Sequence, residues 1–343
     1  MNHATDWLAL AYAALVAGAL VAYVLMDGWD LGVGILYPLV PGRAARDQLL
    51  ETIQPFWDAN ETWLVFGGMA LLLGFPLAYA SLLTRLYVPV CVMLFALVLR
   101  GVSYEFRYHG GTLREFWGHA FAASSVLAAF AQGCMLGEVV EGSPGTQSFS
   151  PFIALLRGSF PLVCGMGVIG GYALLGACWL ILKAGDDLRN KARELAPLAL
   201  GMTVGLLIII CIFTPLASAH VAARWFSQNT WLRAVLFVIA QAIIVWRLRS
   251  SVWQPKLHRP LQWAAALTVL SFVGVVASLY PYIVPYDHTL FAAANDRATL
   301  SFAGVGICIV LPVVILYLAL GYRVFRTAPP RLSTLPLDPP SVQ

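Results

Sequence analysis

Met26-Asp27-Gly28-Trp29-Asp30-Leu31-Gly32-Val33-Gly34 sets two aspartates three residues apart within an apolar run that begins near Trp7. The stretch Phe56-Trp57-Asp58-Ala59-Asn60-Glu61-Thr62-Trp63 repeats the arrangement at the head of the next apolar run. Residues three apart share one face of a helix. A carboxylate in hydrocarbon costs at least ~2.5–3.5 kcal/mol on insertion scales, so a chain that keeps two such pairs needs a use for them. The rest of the chain makes the membrane reading firm. Its 343 residues are 60% hydrophobic and 11% charged, with a mean hydropathy of +0.78. Soluble domains are about half apolar and about a quarter charged.

The expected fold is an all-α integral membrane protein with nine transmembrane helices, because about 20 apolar residues cross ~30 Å of hydrocarbon; eight spans with one weak segment re-entrant is the alternative. The candidate spans are 8–38, 50–74, 79–100, 116–137, 159–183, 195–217, 231–249, 261–280 and 299–323. The N-terminal residues lack the basic segment of a secretory signal, so the first run is expected to be retained. Residues 1–326 form one helical domain, and the Pro-rich segment 327–343 is expected to be a mobile cytoplasmic tail.

Basic residues give an independent check on topology. Numbering the connections alternately puts Arg85, Arg157, Arg224, Arg233 and Arg297 on one side and the other sixteen of the 21, Arg100, Arg107 and Lys183 among them, on the opposite side. The positive-inside rule then places the N-terminus in the periplasm and the C-terminus in the cytoplasm. Scattered basic residues and a net charge of only +4 give no footprint for nucleic acid. The six cysteines fall in apolar segments without a CxxC spacing, which reads as small buried hydrophobes rather than a disulfide or zinc site.

Helical rise places Asp27 about 30 Å below Trp7 and Asp58 about 12 Å from Leu50. Both acidic pairs are therefore expected in the cytoplasmic half of neighbouring helices, with Arg43 and Arg46 in reach of Asp30. Such a cluster suits a water-accessible proton path. The plainer reading is satisfied polar groups at helix ends, strongest for Asp30. His119 and His220 are expected at opposite faces, so they make no haem-ligand pair. Asp287, His288, Asn295 and Asp296 are expected to be solvated in an outer loop. Trp57 and Trp63 are expected to pack and fix the acidic face.

The two acidic segments resemble subunit II of the cytochrome bd-type quinol oxidases. Pro55 through Leu64 and Met26 through Gly34 carry the likeness, supported by Gly170-Gly171-Tyr172-Ala173-Leu174-Leu175-Gly176-Ala177-Cys178-Trp179-Leu180-Ile181-Leu182-Lys183 and by Leu279-Tyr280-Pro281-Tyr282-Ile283-Val284-Pro285. Trp29 stands where the family more usually has Phe, and the short chain resembles the cyanide-insensitive branch. The resemblance implies a bacterial inner-membrane subunit that binds no haem itself and leaves room for a structural quinone. It implies a haem-bearing subunit I as partner, carrying haems b and d, with a small single-helix accessory subunit, lipid and quinone as further partners. The implied complex is an electrogenic, non-pumping ubiquinol oxidase that reduces dioxygen to water with protons from the cytoplasm. On that resemblance Asp27 and Asp58 match the proton-delivery positions, and Asp30, Trp57, Asn60, Glu61 and Trp63 the motif around them. A proton-coupled secondary transporter is the competing reading, since intramembrane carboxylates suit it equally.

Overall fold

A computed structural model describes residues 3–109, 111–142, 151–227 and 230–324; the expected tail 327–343 lies outside them. The chain is nearly all helix. It runs through α1 (His3–Leu36), α2 (Arg43–Glu51), α3 (Trp57–Gly74), α4 (Pro76–Arg85), α5 (Tyr87–His109), α6 (Arg114–Glu141) and α7 (Pro151–Lys183). It continues through α8 (Asp186–Ala217), α9 (Ala219–Trp225), α10 (Trp231–Ser251) and α11 (His258–Leu279), then a hairpin of β1 (Tyr282–Val284) and β2 (His288–Thr289). Two helices close the order, α12 (Leu290–Ala293) and α13 (Arg297–Val324). Among the described residues eight helices are long and apolar enough to cross a membrane.

The expected second and third spans are redrawn. The second breaks at residues 52–56 into α2 and α3, where Pro55 offers no backbone N–H to a continuing helix. The third does not run over 79–100. Pro76 starts the separate α4, a break follows at Leu86, and α5 then extends to His109. Arg100 and Arg107, placed in a connection by the charge count, therefore lie inside α5, and each is only 1% exposed. A window of hydropathy ends a span at an arginine; here tertiary partners let the helix continue.

α1 is the axis of the molecule, packing on α7, α3 and α6. Its closest approach is to α7. A Cβ on Gly176 would sit 2.5 Å from the Val33 amide nitrogen, and one on Gly32 would overlap the Tyr172 carbonyl. Backbone-to-backbone contact of this kind is how small residues hold helices together in lipid. Gly32→Ala should therefore force the two helices apart and cost about 1–3 kcal/mol, as overpacking does elsewhere. A lowered thermal midpoint of the detergent-solubilised protein checks this; an unchanged midpoint would contradict the crossing.

α3 runs antiparallel to α1 along its length. Asn60 meets Met26 and Asp30, Gly67 faces Ala19, and Gly74 faces Tyr12. Beyond α11, Asp287 and Asp296 are exposed as expected, while Asn295 is tied down. Asn295 donates its side-chain amide to Leu73 O at 3.1 Å and its backbone N–H to Gly74 O at 2.9 Å, tying this segment to the end of α3. Asp296 accepts from the Ala298 and Thr299 amides at 2.9 and 3.0 Å, capping the donors that open α13. Cys134, Cys164 and Cys178 are buried, whereas Cys211 and Cys308 lie on exposed helix faces. Six buried cysteines is thus too many.

Candidate functional site

The acidic pairs converge around one arginine. α1 presents Asp27 and Asp30, both 0% exposed, because they lie three apart on the face turned to α3. α3 presents Asn60 and Glu61 from its first turns. α5 sends Arg100 between them: Nη1 donates to Asp27 Oδ1 at 2.7 Å, and Nη2 donates to Glu61 Oε1. The Trp57 ring lies 5.9 Å from the guanidinium carbon, close enough for a cation–π contact. Asp30 Oδ2 accepts from Asn60 Nδ2 at 2.7 Å. Asn60 Oδ1 in turn accepts from the Tyr322 hydroxyl of α13 at 2.8 Å.

Polar groups continue from Asp27 toward the other end of α1. Tyr23 is one turn earlier on the same face. Its hydroxyl accepts from Gln132 Nε2 at 2.9 Å, and Tyr172 donates to Gln132 Oε1 at 2.6 Å. Six helices, α1, α3, α5, α6, α7 and α13, thus contribute to one line of groups able to exchange protons or hydrogen bonds. Asp30 Oδ1 and Arg100 Nε are buried with no hydrogen-bond partner among the described residues. Buried polar atoms are almost always satisfied, by ordered water where the protein supplies nothing.

An aromatic layer lies between the acids and Lys183. Trp29 stacks on Trp179 at 4.9 Å, Phe56 stacks on Tyr322 at 4.4 Å, and Phe56 meets Trp179 edge-on at 5.8 Å. Lys183 Nζ stands 5.4 Å from the Phe56 ring and 5.5 Å from that of Trp179. Trp29 has room for its larger ring because Trp179 offers a parallel face. Beyond, a second ionic tier pairs Asp47 with Arg107 at 2.6 Å and with Arg114 at 2.9 Å. Arg43 and Arg46 do not reach Asp30; they pair with Glu115 at 3.2 and 2.9 Å. α2 carries them away from α1, so Asp30 takes Asn60 instead.

The structure therefore brings together Asp27, Asp30, Asn60, Glu61 and Trp57. It sets two of the sequence candidates apart. Trp63 packs edge-on to Phe66 at 6.1 Å, one cluster further along α3. Asp58 is exposed and points away from Arg100, on a stripe with Val65, Met69 and Leu72. Arg100 was the residue the sequence reading lacked. Its signal was present: a lone arginine in Phe95-Ala96-Leu97-Val98-Leu99-Arg100-Gly101-Val102 is as costly as the acids, and so needs partners. His119 meets Tyr37 edge-on at 5.9 Å and His220 stacks on Tyr286 at 4.2 Å. Among the described residues no three His, Cys, Asp or Glu side chains converge as a metal site.

Chemically the cluster is acid-rich. Three carboxylates stand about one guanidinium, one of them, Glu61, with its side chain 27% exposed. Charge balance can be reached by protons held on the carboxyls, and Glu61 links the buried groups to the surface.

Comparison with known proteins bears on this geometry. The family model for cytochrome bd terminal oxidase subunit II matches residues 8–325. A cytochrome bd ubiquinol oxidase subunit 2 from Bacillus subtilis is 26% identical, over 91% of this chain and 94% of its own. A cytochrome bd-I ubiquinol oxidase subunit 2 from Escherichia coli K12 is 27% identical, over 55% of this chain and 52% of its own. Among solved structures, a chain of the bd oxidase from Geobacillus thermodenitrificans superposes with a TM-score of 0.74 at 15% identity, covering 93% of this chain and 98% of that one. That last likeness is one of fold.

Proposed function

The chain belongs to the cytochrome bd terminal oxidase subunit II family, and on that premise we propose that it feeds cytoplasmic protons to oxygen reduction through the cluster of Asp27, Asp30, Glu61 and Arg100. It is a multi-pass protein of the bacterial inner membrane and part of a quinol:oxygen oxidoreductase complex. Its partner is oxidase subunit I of a haem-containing assembly. The haems b and d belong to that partner, and this chain's own residues hold and move protons. The transporter reading is not favoured, since the match to the oxidase family runs over nearly the whole chain.

The single observation that carries the proton role is the buried acid excess around Arg100. Entry is by Glu61, which is partly exposed. Transfer runs along Arg100-linked Asp27 to Tyr23 and the Gln132–Tyr172 pair. Asp58 marks where the partner docks. It lies in a stripe with Val65, Met69 and Leu72, which are 72%, 42% and 45% exposed. A carboxylate facing hydrocarbon is costly, so a protein surface that covers the stripe and supplies Asp58 with a partner is favoured over lipid. Asp58, three residues before Glu61 on α3, then becomes a proton carrier at the subunit boundary, ahead of the Glu61 entry. The outward apolar face of α13 leaves room for lipid, a quinone tail or a single-helix accessory subunit.

Nine crossings with a periplasmic N-terminus fit these facts. α3 is the ninth: at ~1.5 Å per residue its length is about 27 Å, close to the hydrocarbon thickness. It follows α1 in antiparallel register from Asn60 to Gly74, and its low hydropathy comes from the acids in its first turns.

Asp58→Asn tests the boundary role. Quinol-dependent oxygen consumption of the purified complex should fall at least about tenfold, less than the roughly 10²–10⁴-fold contributed by a fully positioned proton-transfer group. Haem content and subunit I should be retained. Unchanged turnover would remove Asp58 from the route. A purified chain that brings down no haem-bearing partner would refute the oxidase assignment itself.

A further inference from the structure

Outside the acid cluster, α10 and α11 flank an open polar cavity of about 310 Å³ at the end where their connection lies. Its walls include Arg247, Ser250 and Gln254 from one side and Arg259, Gln262 and Trp263 from the other. Arg259 is held in place by the Gln254 side-chain oxygen at 2.9 Å. Arg247 lies over the Trp246 ring at 5.2 Å. Neither guanidinium has a carboxylate partner among the described residues, and the cavity wall carries no acid. Arg193 tightens the same corner from α8, reaching the Gln254 carbonyl at 3.4 Å and the Trp253 ring at 5.9 Å.

The surroundings decide what such a cavity takes. It opens at the end of a helical hairpin that is largely exposed along its apolar length: Leu236, Ile239, Ile243 and Trp246 of α10 are between 49% and 64% exposed. In a membrane those side chains meet acyl chains. The cavity therefore lies where the headgroups of that leaflet lie. Two arginine forks, hydroxyl and amide donors and an indole form a set suited to phosphate oxygens, at the depth where aromatic and basic side chains anchor to headgroups.

We propose that this cavity binds the phosphodiester headgroup of one anionic phospholipid, with Arg247 and Arg259 gripping the phosphate and the acyl chains lying along α10. The site rests on the placement of α10 and α11 in the membrane and is independent of the proton route.

Native mass spectrometry of the intact purified complex, delipidated in neutral detergent, tests it. Phosphatidylglycerol, phosphatidylcholine and inorganic phosphate are titrated separately. Wild type should bind one phosphatidylglycerol more tightly than phosphatidylcholine, with millimolar inorganic phosphate failing to displace it. Arg247→Gln/Arg259→Gln should weaken that binding about 30-fold, from the contribution of two basic groups near an anionic headgroup. Arg189→Gln/Lys191→Gln, outside the cavity, should bind as wild type. Arg247→Lys/Arg259→Lys should fall between, since charge survives without the fork. Equal binding by wild type and the Arg247/Arg259 variant, equal preference for the zwitterionic lipid, or displacement by inorganic phosphate would each overturn the proposal. Should the Gln double variant fail to purify, the Lys variant decides alone, with wild-type affinity counting against the site.

Discussion

Arg100→Leu is expected to abolish accumulation of the assembled complex. Arg100 is 1% exposed and is bonded to Asp27 and Glu61. Removing it strands at least one ionised carboxylate with its partner gone. Breaking a buried ion pair from one side costs about 3–5 kcal/mol, a large share of the 5–15 kcal/mol typical of a folded domain. The loss should appear as reduced protein and haem in purified membranes. A paired change, Arg100→Leu with Asp27→Leu, should recover part of the yield, because it removes the stranded charge along with the arginine. Normal yield of the single variant would show that Arg100 does not hold the cluster together.

Asp27→Asn is expected to have the largest effect on turnover with the assembly intact. Asparagine keeps an oxygen that can accept from Arg100 Nη1, so the bond now measured at 2.7 Å has a substitute. What disappears is the proton. Positioned proton-transfer groups contribute about 10²–10⁴-fold, so quinol-dependent oxygen consumption should fall by about 10²-fold or more at unchanged haem content. Asp27→Glu should restore part of the rate. Asp30→Asn should do less harm, because Asn60 already fixes Asp30 at 2.7 Å and Asp30 has no direct bond to Arg100. A full rate in Asp27→Asn would mean that protons bypass α1.

Much of the fold was legible because hydropathy alone sets the helices of a membrane chain. The long apolar runs appear as α1, α6, α7, α8, α10, α11 and α13 within a few residues of expectation, apart from the earlier starts of α7 and α8. The departures share one cause. Arg100 and Arg107 read as loop residues because a window of sequence cannot see the Asp27, Glu61 and Asp47 that neutralise them across the bundle. Pro55 did signal a break, yet the long apolar run that follows it drew the span back over the polar α2. At the site, the i,i+3 pattern found Asp27 and Asp30 and correctly set Glu61 near them. The same pattern could not tell that Asp58 and Glu61 diverge, since three residues on a helix still differ by about 60° at 3.6 residues per turn. That angle is enough to send Glu61 to Arg100 and Asp58 to the open face. Tyr23, Gln132 and Tyr322 gave no signal, and Tyr172 entered only within a family motif, because polar aromatic and amide groups in a span look like ordinary packing until their hydrogen bonds are seen.

The most direct test of the proton role is the rate of proton uptake from the cytoplasmic side during a single turnover, followed with a pH dye on the reduced complex after oxygen is admitted. In Asp27→Asn the predicted result is uptake slowed about 10²-fold or more, with oxygen binding to the partner unchanged. Proton uptake at the wild-type rate in Asp27→Asn, with haem content intact, would contradict the role assigned to this subunit.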